Sequence, residues 1–299
     1  MSYLQPNLNP DILRNMNIPL HREQLNFMIE LAQSRPEFLN PFFRFLAYFD
    51  SPYFFFVLIP IIWLGYSYKW GLRIFYWFTL SNFFNSYLKY LVGWPRPSTD
   101  LPAIGMQHPL SNGFPSGGAQ TCMFLGVIFI YYWRTPASWV VGSIYILLIS
   151  FSRLYLGVHY PIDVLGGWVF GLALAGLMIK AKPHIEKYLM EKGLNFSLFL
   201  GFAIPILIMA ISQSTQLNYV MGAAIGVNIG AHFSLKHHLF LPKPKNLIEA
   251  TLRSLFGIAT IFALVLFLGK EGTFAQSFYV GLFMSVAISP IWRELKRVM

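Results

Sequence analysis

The chain has 299 residues, 56% of them hydrophobic and only 11% charged, with a formal net charge of +10. Soluble domains carry about 25% charged residues, so this composition, with a mean hydropathy of +0.52, excludes an ordinary soluble domain and predicts an integral membrane protein. Cys122 is the single cysteine, which excludes a disulfide within the chain and a cysteine-based metal site.

The first ten residues are polar and rich in Asn and Pro, and residues 1–50 show no basic stretch followed by an apolar one, so no cleavable signal is expected. Leu25, Met28, Ile29 and Ala32, then Leu39, Phe42, Phe43 and Leu46, recur at helical spacing. They predict two short amphipathic helices in an N-terminal segment, 1–50. Such helices lie on a membrane surface or pack on a bundle, and periodicity leaves both open. Apolar spans follow at about 52–68, 71–92, 119–133, 137–156, 161–181, 195–212, 217–234, 251–269 and 274–291. The expected fold is all-α: a polytopic transmembrane helical bundle of about nine spans. The charged connector at 182–194 divides it into a five-span core, 51–182, and a four-span extension, 183–299. Asn218, Asn228 and His232 are the few polar groups within that extension.

Nine spans sort the charges into two faces. One carries 14 basic residues against four acidic, the other eight of each. The positive-inside rule makes the first cytoplasmic and the second external, as in a bacterial inner membrane whose outer side is the periplasm. Basic residues flank spans rather than forming blocks interleaved with aromatics, so the positive charge is not read as a nucleic-acid surface.

Three clusters fall on the external face. Span two ends in Lys89, followed by Trp94-Pro95-Arg96-Pro97, where the prolines stiffen the exit. Span three opens with Pro115-Ser116-Gly117-Gly118. Glycines at a helix start let backbone N–H groups approach an anion closely, and Ser116 can cap the helix or donate its hydroxyl. Spans four and five are joined by Ser152-Arg153 and by His159-Tyr160-Pro161-Ile162-Asp163. Asp163 lies one helical turn from His159 and is placed to orient its imidazole, the arrangement of a histidine nucleophile or base. Arg153 supplies a planar fork suited to phosphate. Each cluster alone reads as interfacial anchors or helix caps; together they read as a phosphate site with a nucleophile.

The ordered pattern Lys89-x6-Arg96-Pro97, Pro115-Ser116-Gly117 and Ser152-Arg153-x5-His159-x3-Asp163 resembles the type 2 phosphatidic acid phosphatase (PAP2) superfamily, whose phosphate site is shared with glucose-6-phosphatase and vanadium haloperoxidases. The resemblance covers about residues 52–180. It implies an all-helical, metal-independent phosphatase that needs no cofactor and acts on a lipid phosphate in the bilayer. It also implies that His159 attacks phosphorus and forms a phosphohistidine, that Asp163 orients it, and that Lys89, Arg96, Ser116, Gly117, Gly118 and Arg153 bind the phosphoryl oxygens.

One position departs. The family's second motif ends in a histidine that protonates the leaving group, and here Gly118 stands in its place. A substitution introduced to silence the site would read the same way. A natural Gly118 has three readings. Another acid serves, with His108 on the same loop as candidate; the leaving group is a phosphate and needs no acid, as in a polyprenyl diphosphate; or catalysis is lost and phosphate binding kept. The expected function is therefore dephosphorylation of a membrane lipid phosphate or diphosphate. The alternatives are a catalytically impaired phospholipid-binding or transport protein, or a lipid phosphotransferase using the same site.

Overall fold

The computed structural model describes residues 18–211, 214–269 and 273–298; the polar first ten residues lie outside these. Among the described residues all regular elements are helical: α1 (Pro19–Gln33), α2 (Asn40–Ala47), α3 (Pro52–Gly65), α4 (Tyr68–Val92), α5 (Pro97–Asp100), α6 (Gly117–Trp133), α7 (Pro136–Tyr155), α8 (Pro161–Lys192), α9 (Leu194–Ile211), α10 (Thr215–Lys236), α11 (Leu247–Leu268), α12 (Phe274–Val286) and α13 (Ile288–Val298). Helix starts carry the expected chemistry. Ser116 caps α6, Asn246 α11 and Thr273 α12, while Thr135 and Ser138 cap α7 reciprocally beside Pro136.

A helix stands at each expected span, the last broken into α12 and α13. By length and apolarity, four of the described helices are fit to cross a membrane: α7, α8, α9 and α11. The number rises to six if each of two bent helix pairs counts as one span. Nine is not reached on this criterion. α6 has 17 residues, short of the ~20 a bilayer needs. α4 carries Lys, Arg, Ser and Asn side chains along its length, and α10 carries Gln, Asn and His.

The chain forms two compact units. One comprises the segment up to Ser51 with Tyr87–Ile179, the other Pro52–Ser86 with Lys180 onward. In the second unit Gly65 of α3 meets Ser254 of α11, and Gly257 of α11 meets Leu64 and Pro60 of α3. In the same unit Gly222, Gly226 and Gly230 of α10 face Ser277, Phe278 and Ser285 of α12. Small residues at every fourth position let two helices approach closely in a membrane. Ser234 Oγ donates to the Ser285 carbonyl at 2.6 Å across that seam. Asn228 Nδ2 donates to the Leu198 carbonyl of α9 at 2.9 Å.

In the first unit α6 packs on α7. The apolar faces of α1 and α2 are buried against this unit. Leu25, Met28 and Ile29 cover Leu101, Ile104 and Tyr160. Phe43 and Leu46 join Cys122, Ile146, Ile149, Tyr155, Leu156 and Val158. Each such side chain contributes about 1.5–3 kcal/mol when fully buried. Tyr155 Oη donates to Asn40 Oδ1 at 2.8 Å. Phe38, Phe42 and Phe45 of the same segment remain exposed. The N-terminal helices therefore have one face on protein and an aromatic face outside it.

Candidate active site

The site begins at the turn after α7. Gly157 has φ +70, and a Cβ there would overlap the Ile104 carbonyl, so the turn needs glycine. It delivers His159 just ahead of α8, which opens at Pro161. Asp163 in the first turn accepts the Tyr160 backbone N–H at 2.9 Å through Oδ2, as an acidic residue in a capping box does. The same oxygen lies 3.3 Å from His159 Nδ1. Gln24 Oε1 of α1 accepts the neighbouring Ile162 N–H at 3.1 Å. Ser116 N donates to the Asp163 carbonyl at 2.9 Å, tying the start of α6 to the start of α8.

These contacts determine the tautomer of His159. Arg96 Nη1 lies 3.0 Å from Nε2. An arginine can only donate, so Nε2 accepts and the proton of a neutral ring sits on Nδ1, facing the Asp163 carboxylate. The Nε2 lone pair thus points to the cationic side. Burial pushes the His159 imidazole well below its usual range, and Arg96, Lys89 and Arg153 push it further. The ring is neutral at physiological pH, as a nucleophile must be.

Two of the cations, Arg96 and Lys89, are held largely by carbonyls. Arg96 is buried; Nη1 also donates to the Val158 carbonyl at 2.8 Å, Nε to the Ser111 carbonyl and Nη2 to Ser111 Oγ at 3.0 Å. Burial lowers Arg96 to about 10, so it stays charged at neutral pH. Lys89 Nζ donates to the carbonyls of Asn112 at 2.6 Å and Gly113 at 3.1 Å. Arg153 is buried, with Nε and Nη2 on Ser152 Oγ and Nη1 3.3 Å from Asp50 Oδ2. Ser116 is buried and its Oγ accepts the Ala119 N–H. Gly117 and Gly118 form the first turn of α6. His108, by contrast, is exposed on the loop, beside Gly105.

The structure thus brings Lys89, Arg96, Arg153, His159 and Asp163 into one electrostatic neighbourhood. It adds residues that sequence reasoning did not single out. Ser111, Asn112 and Val158 act through the groups that hold Arg96 and Lys89, and carbonyls leave no trace in a motif. Asp50 belongs to a segment with no motif at all. Among the described residues no group of three or more His, Cys, Asp or Glu side chains is placed to hold a metal ion.

Beneath the site His21 is buried, stacked on Tyr160 at 4.1 Å and edge-on to Trp94 at 5.2 Å. Neither ring nitrogen has a hydrogen-bond partner. Burial lowers His21 to about 4. His21 and His159 are thus neutral in the fold but protonate near 6.5 when unfolded. The unfolded state then binds more protons below pH 6.5, so stability falls as pH drops from 6.5 toward 4. The slope is at most about 1.4 kcal/mol per pH unit for each histidine. Thermal unfolding of detergent-solubilised His21→Gln should show a shallower acid slope than the wild type; an unchanged slope would contradict the assignment.

Comparison with known proteins bears on the same residues. The sequence model of the PAP2 superfamily matches residues 70–186. The chain is 27% identical over 157 residues to an undecaprenyl-diphosphatase of Sulfolobus acidocaldarius, spanning 50% of this chain and 74% of that protein. It is 29% identical over 167 residues to phosphatidylglycerophosphatase B of Bacillus subtilis, spanning 52% and 80%. To lipid A 4'-phosphatase of Bacteroides thetaiotaomicron it is 36% identical over 98 residues, 29% of this chain and 42% of that one. Its fold is similar to the crystal structure of a transmembrane PAP2-type phosphatidylglycerolphosphate phosphatase from Bacillus subtilis, with a TM-score of 0.50, 24% identity, and coverage of 60% of this chain and 92% of that one.

Proposed function

Starting from an integral membrane protein whose residues 70–186 match the PAP2 superfamily, we propose that it removes phosphate from a membrane lipid phosphate or diphosphate, of the phosphatidic acid or polyprenyl diphosphate type. The observation that carries this reading is His159 itself. Its ring is held between Asp163 on Nδ1 and Arg96 on Nε2, so a neutral nucleophile faces three cations. Phosphate binding alone has no use for a carboxylate that orients an imidazole, which disfavours a binding or transport protein. The names of the relatives, a diphosphatase and two phosphatases, support the same class.

In this mechanism Lys89, Arg96, Arg153 and the first-turn amides of α6 neutralise the phosphoryl oxygens. On substrate binding the Arg96 N–H turns from His159 Nε2 to a phosphoryl oxygen, and the freed Nε2 lone pair attacks phosphorus in line with the leaving oxygen. Asp163 stabilises the cationic ring that forms. Water then cleaves the phosphohistidine. The reading includes nine crossings, with the five-span portion 51–182 as catalytic core and 183–299 as extension. It places the site on the external face, at the depth of lipid headgroups.

Purified protein, incubated with EDTA and micelles of phosphatidic acid, phosphatidylglycerophosphate or undecaprenyl diphosphate, should release inorganic phosphate from at least one. Absence of release from all of them would overturn the reading. Release that requires an added alcohol acceptor would favour phosphotransfer instead.

A further inference from the structure

We propose that Asp50, standing in the space that Gly118 leaves open, is the acid that protonates the leaving group; the proposal rests on the phosphatase reading above. A Cβ on Gly118 would lie 3.0 Å from both Cγ and Oδ2 of Asp50, and 3.1 Å from Cδ of Arg153. Contacts of that length are tighter than nine in ten that a Cβ makes, so a side chain at 118 would push the Asp50 carboxyl aside by a few tenths of an ångström. The carboxyl that crowds the glycine comes from the N-terminal segment, 103 residues before Arg153 in the chain.

Four observations make the carboxyl suited to the role. It touches Arg153 through Oδ2, and its charge also acts on Lys89 and Arg96, so it faces the cationic site. Its side chain is 30% exposed and can exchange protons with water. It is anchored, because the turn Tyr48–Asp50 follows α2, whose Phe43 and Leu46 are buried, and Phe49 packs on the same cluster. Other acids nearby are committed. Asp163 holds His159 and the Tyr160 N–H, Asp100 accepts Tyr160 Oη at 2.7 Å, and His108 points to solvent from beside Gly105.

The chemistry balances with Asp50 as proton carrier. A phosphate dianion seated on Arg153 takes that guanidinium from Asp50 and sets negative charge beside the carboxylate in its place, and two anions sharing one site hold a proton between them. Binding therefore loads Asp50 with a proton from water. As the His159 Nε2 lone pair forms the N–P bond and the P–O bond to the lipid breaks, that proton passes to the leaving oxygen, giving the lipid alcohol and an Asp50 carboxylate. In the second half, the carboxylate takes a proton from water while the hydroxyl bonds to phosphorus and the N–P bond breaks. Phosphate, neutral His159 and protonated Asp50 result.

The test compares two substrates that differ in leaving group. Asp50→Asn should slow kcat for phosphatidic acid, which expels an alkoxide, by about 10²–10³-fold. It should slow 4-nitrophenyl phosphate, whose leaving phenolate is a far weaker base, by only about 2–3-fold. Equal losses on both substrates would mean that Asp50 merely supports Arg153, and no loss on either would mean that it does nothing; each result overturns the proposal. Gly118→His in an Asp50→Ala background should recover phosphatidic acid turnover, whereas Gly118→His alone should gain less, because the imidazole and the Asp50 carboxyl crowd each other. Calorimetry of inorganic phosphate binding, in two buffers of different ionisation enthalpy, gives a readout without turnover. The wild type should take up about one proton that Asp50→Asn does not; uptake retained in the variant would overturn the proposal. A wild type that neither binds phosphate nor hydrolyses either ester would instead overturn the phosphatase reading, and the role of Asp50 with it.

Discussion

Replacing His159 with alanine is expected to abolish phosphate release, by about 10⁴–10⁶-fold, the scale of loss when a nucleophile acting as part of a unit is removed. No neighbouring group can take its place. Arg96 and Lys89 are donors without a free lone pair, and Asp163 is buried behind the ring. Wild-type protein mixed with radiolabelled substrate and quenched in alkali should carry label that is released by mild acid, as expected for phosphoryl bonded to nitrogen. His159→Ala should carry none. Label that persists in the variant would move the nucleophile elsewhere. Loss of His159 also leaves the Asp163 carboxylate with only the Tyr160 N–H as partner. Binding of inorganic phosphate to the variant should therefore be measured, to separate lost chemistry from a collapsed site.

Asp163→Asn should lower kcat by about 10³–10⁴-fold while KM changes little. The estimate follows the loss seen when the carboxylate behind a catalytic histidine becomes an amide. The argument is one of charge and tautomer. Asp163 Oδ2 accepts from both His159 Nδ1 and Tyr160 N, and it is the nearest anion to the ring. An asparagine can keep the bond to Tyr160 N, preserving the start of α8. It no longer supplies the negative charge that stabilises an imidazolium as phosphorus is attacked. The cations that bind phosphate are untouched, which is why KM should hold. Steady-state kinetics on the preferred lipid phosphate decide the matter. An unchanged kcat would show that Arg96 and the Val158 turn orient His159 without help. A large rise in KM would assign Asp163 to the substrate site instead.

The N-terminal segment shows why sequence reasoning stopped short of the full site. The periodicity of Leu25, Met28 and Ile29 marks a helix with an apolar face, yet burial in lipid headgroups and burial against protein demand the same pattern. Only the packing on Leu101, Ile104 and Tyr160 distinguishes them. The segment reaches the chemistry through two polar contacts, Gln24 on the Ile162 N–H and Asp50 on Arg153. Nothing in the local sequence separates either residue from an ordinary exposed side chain. The same holds for span counting. Apolar windows mark where helices form, but α4 and α10 bear polar groups that neighbouring helices can cover as readily as water can.

By itself, the sequence determined what depends on composition and short spacing. A charged fraction of 11% places the chain in a membrane, because sustained apolar helices have no other solvent. The separation of His159 from Asp163 is one helical turn, and Pro161 starts that turn, so their contact follows from backbone geometry alone. The resemblance of three ordered motifs made Lys89, Arg96, Ser116 and Arg153 candidates for the same site. The tertiary structure decided everything that depends on distant segments meeting. It supplied the Ser111 and Val158 carbonyls that pin Arg96 against His159 Nε2, and hence the tautomer. It also set Asp50 against Gly118. A missing side chain is legible in a sequence, but what fills the space it leaves is not, because that volume is shared only after α2 and α6 have packed around α7.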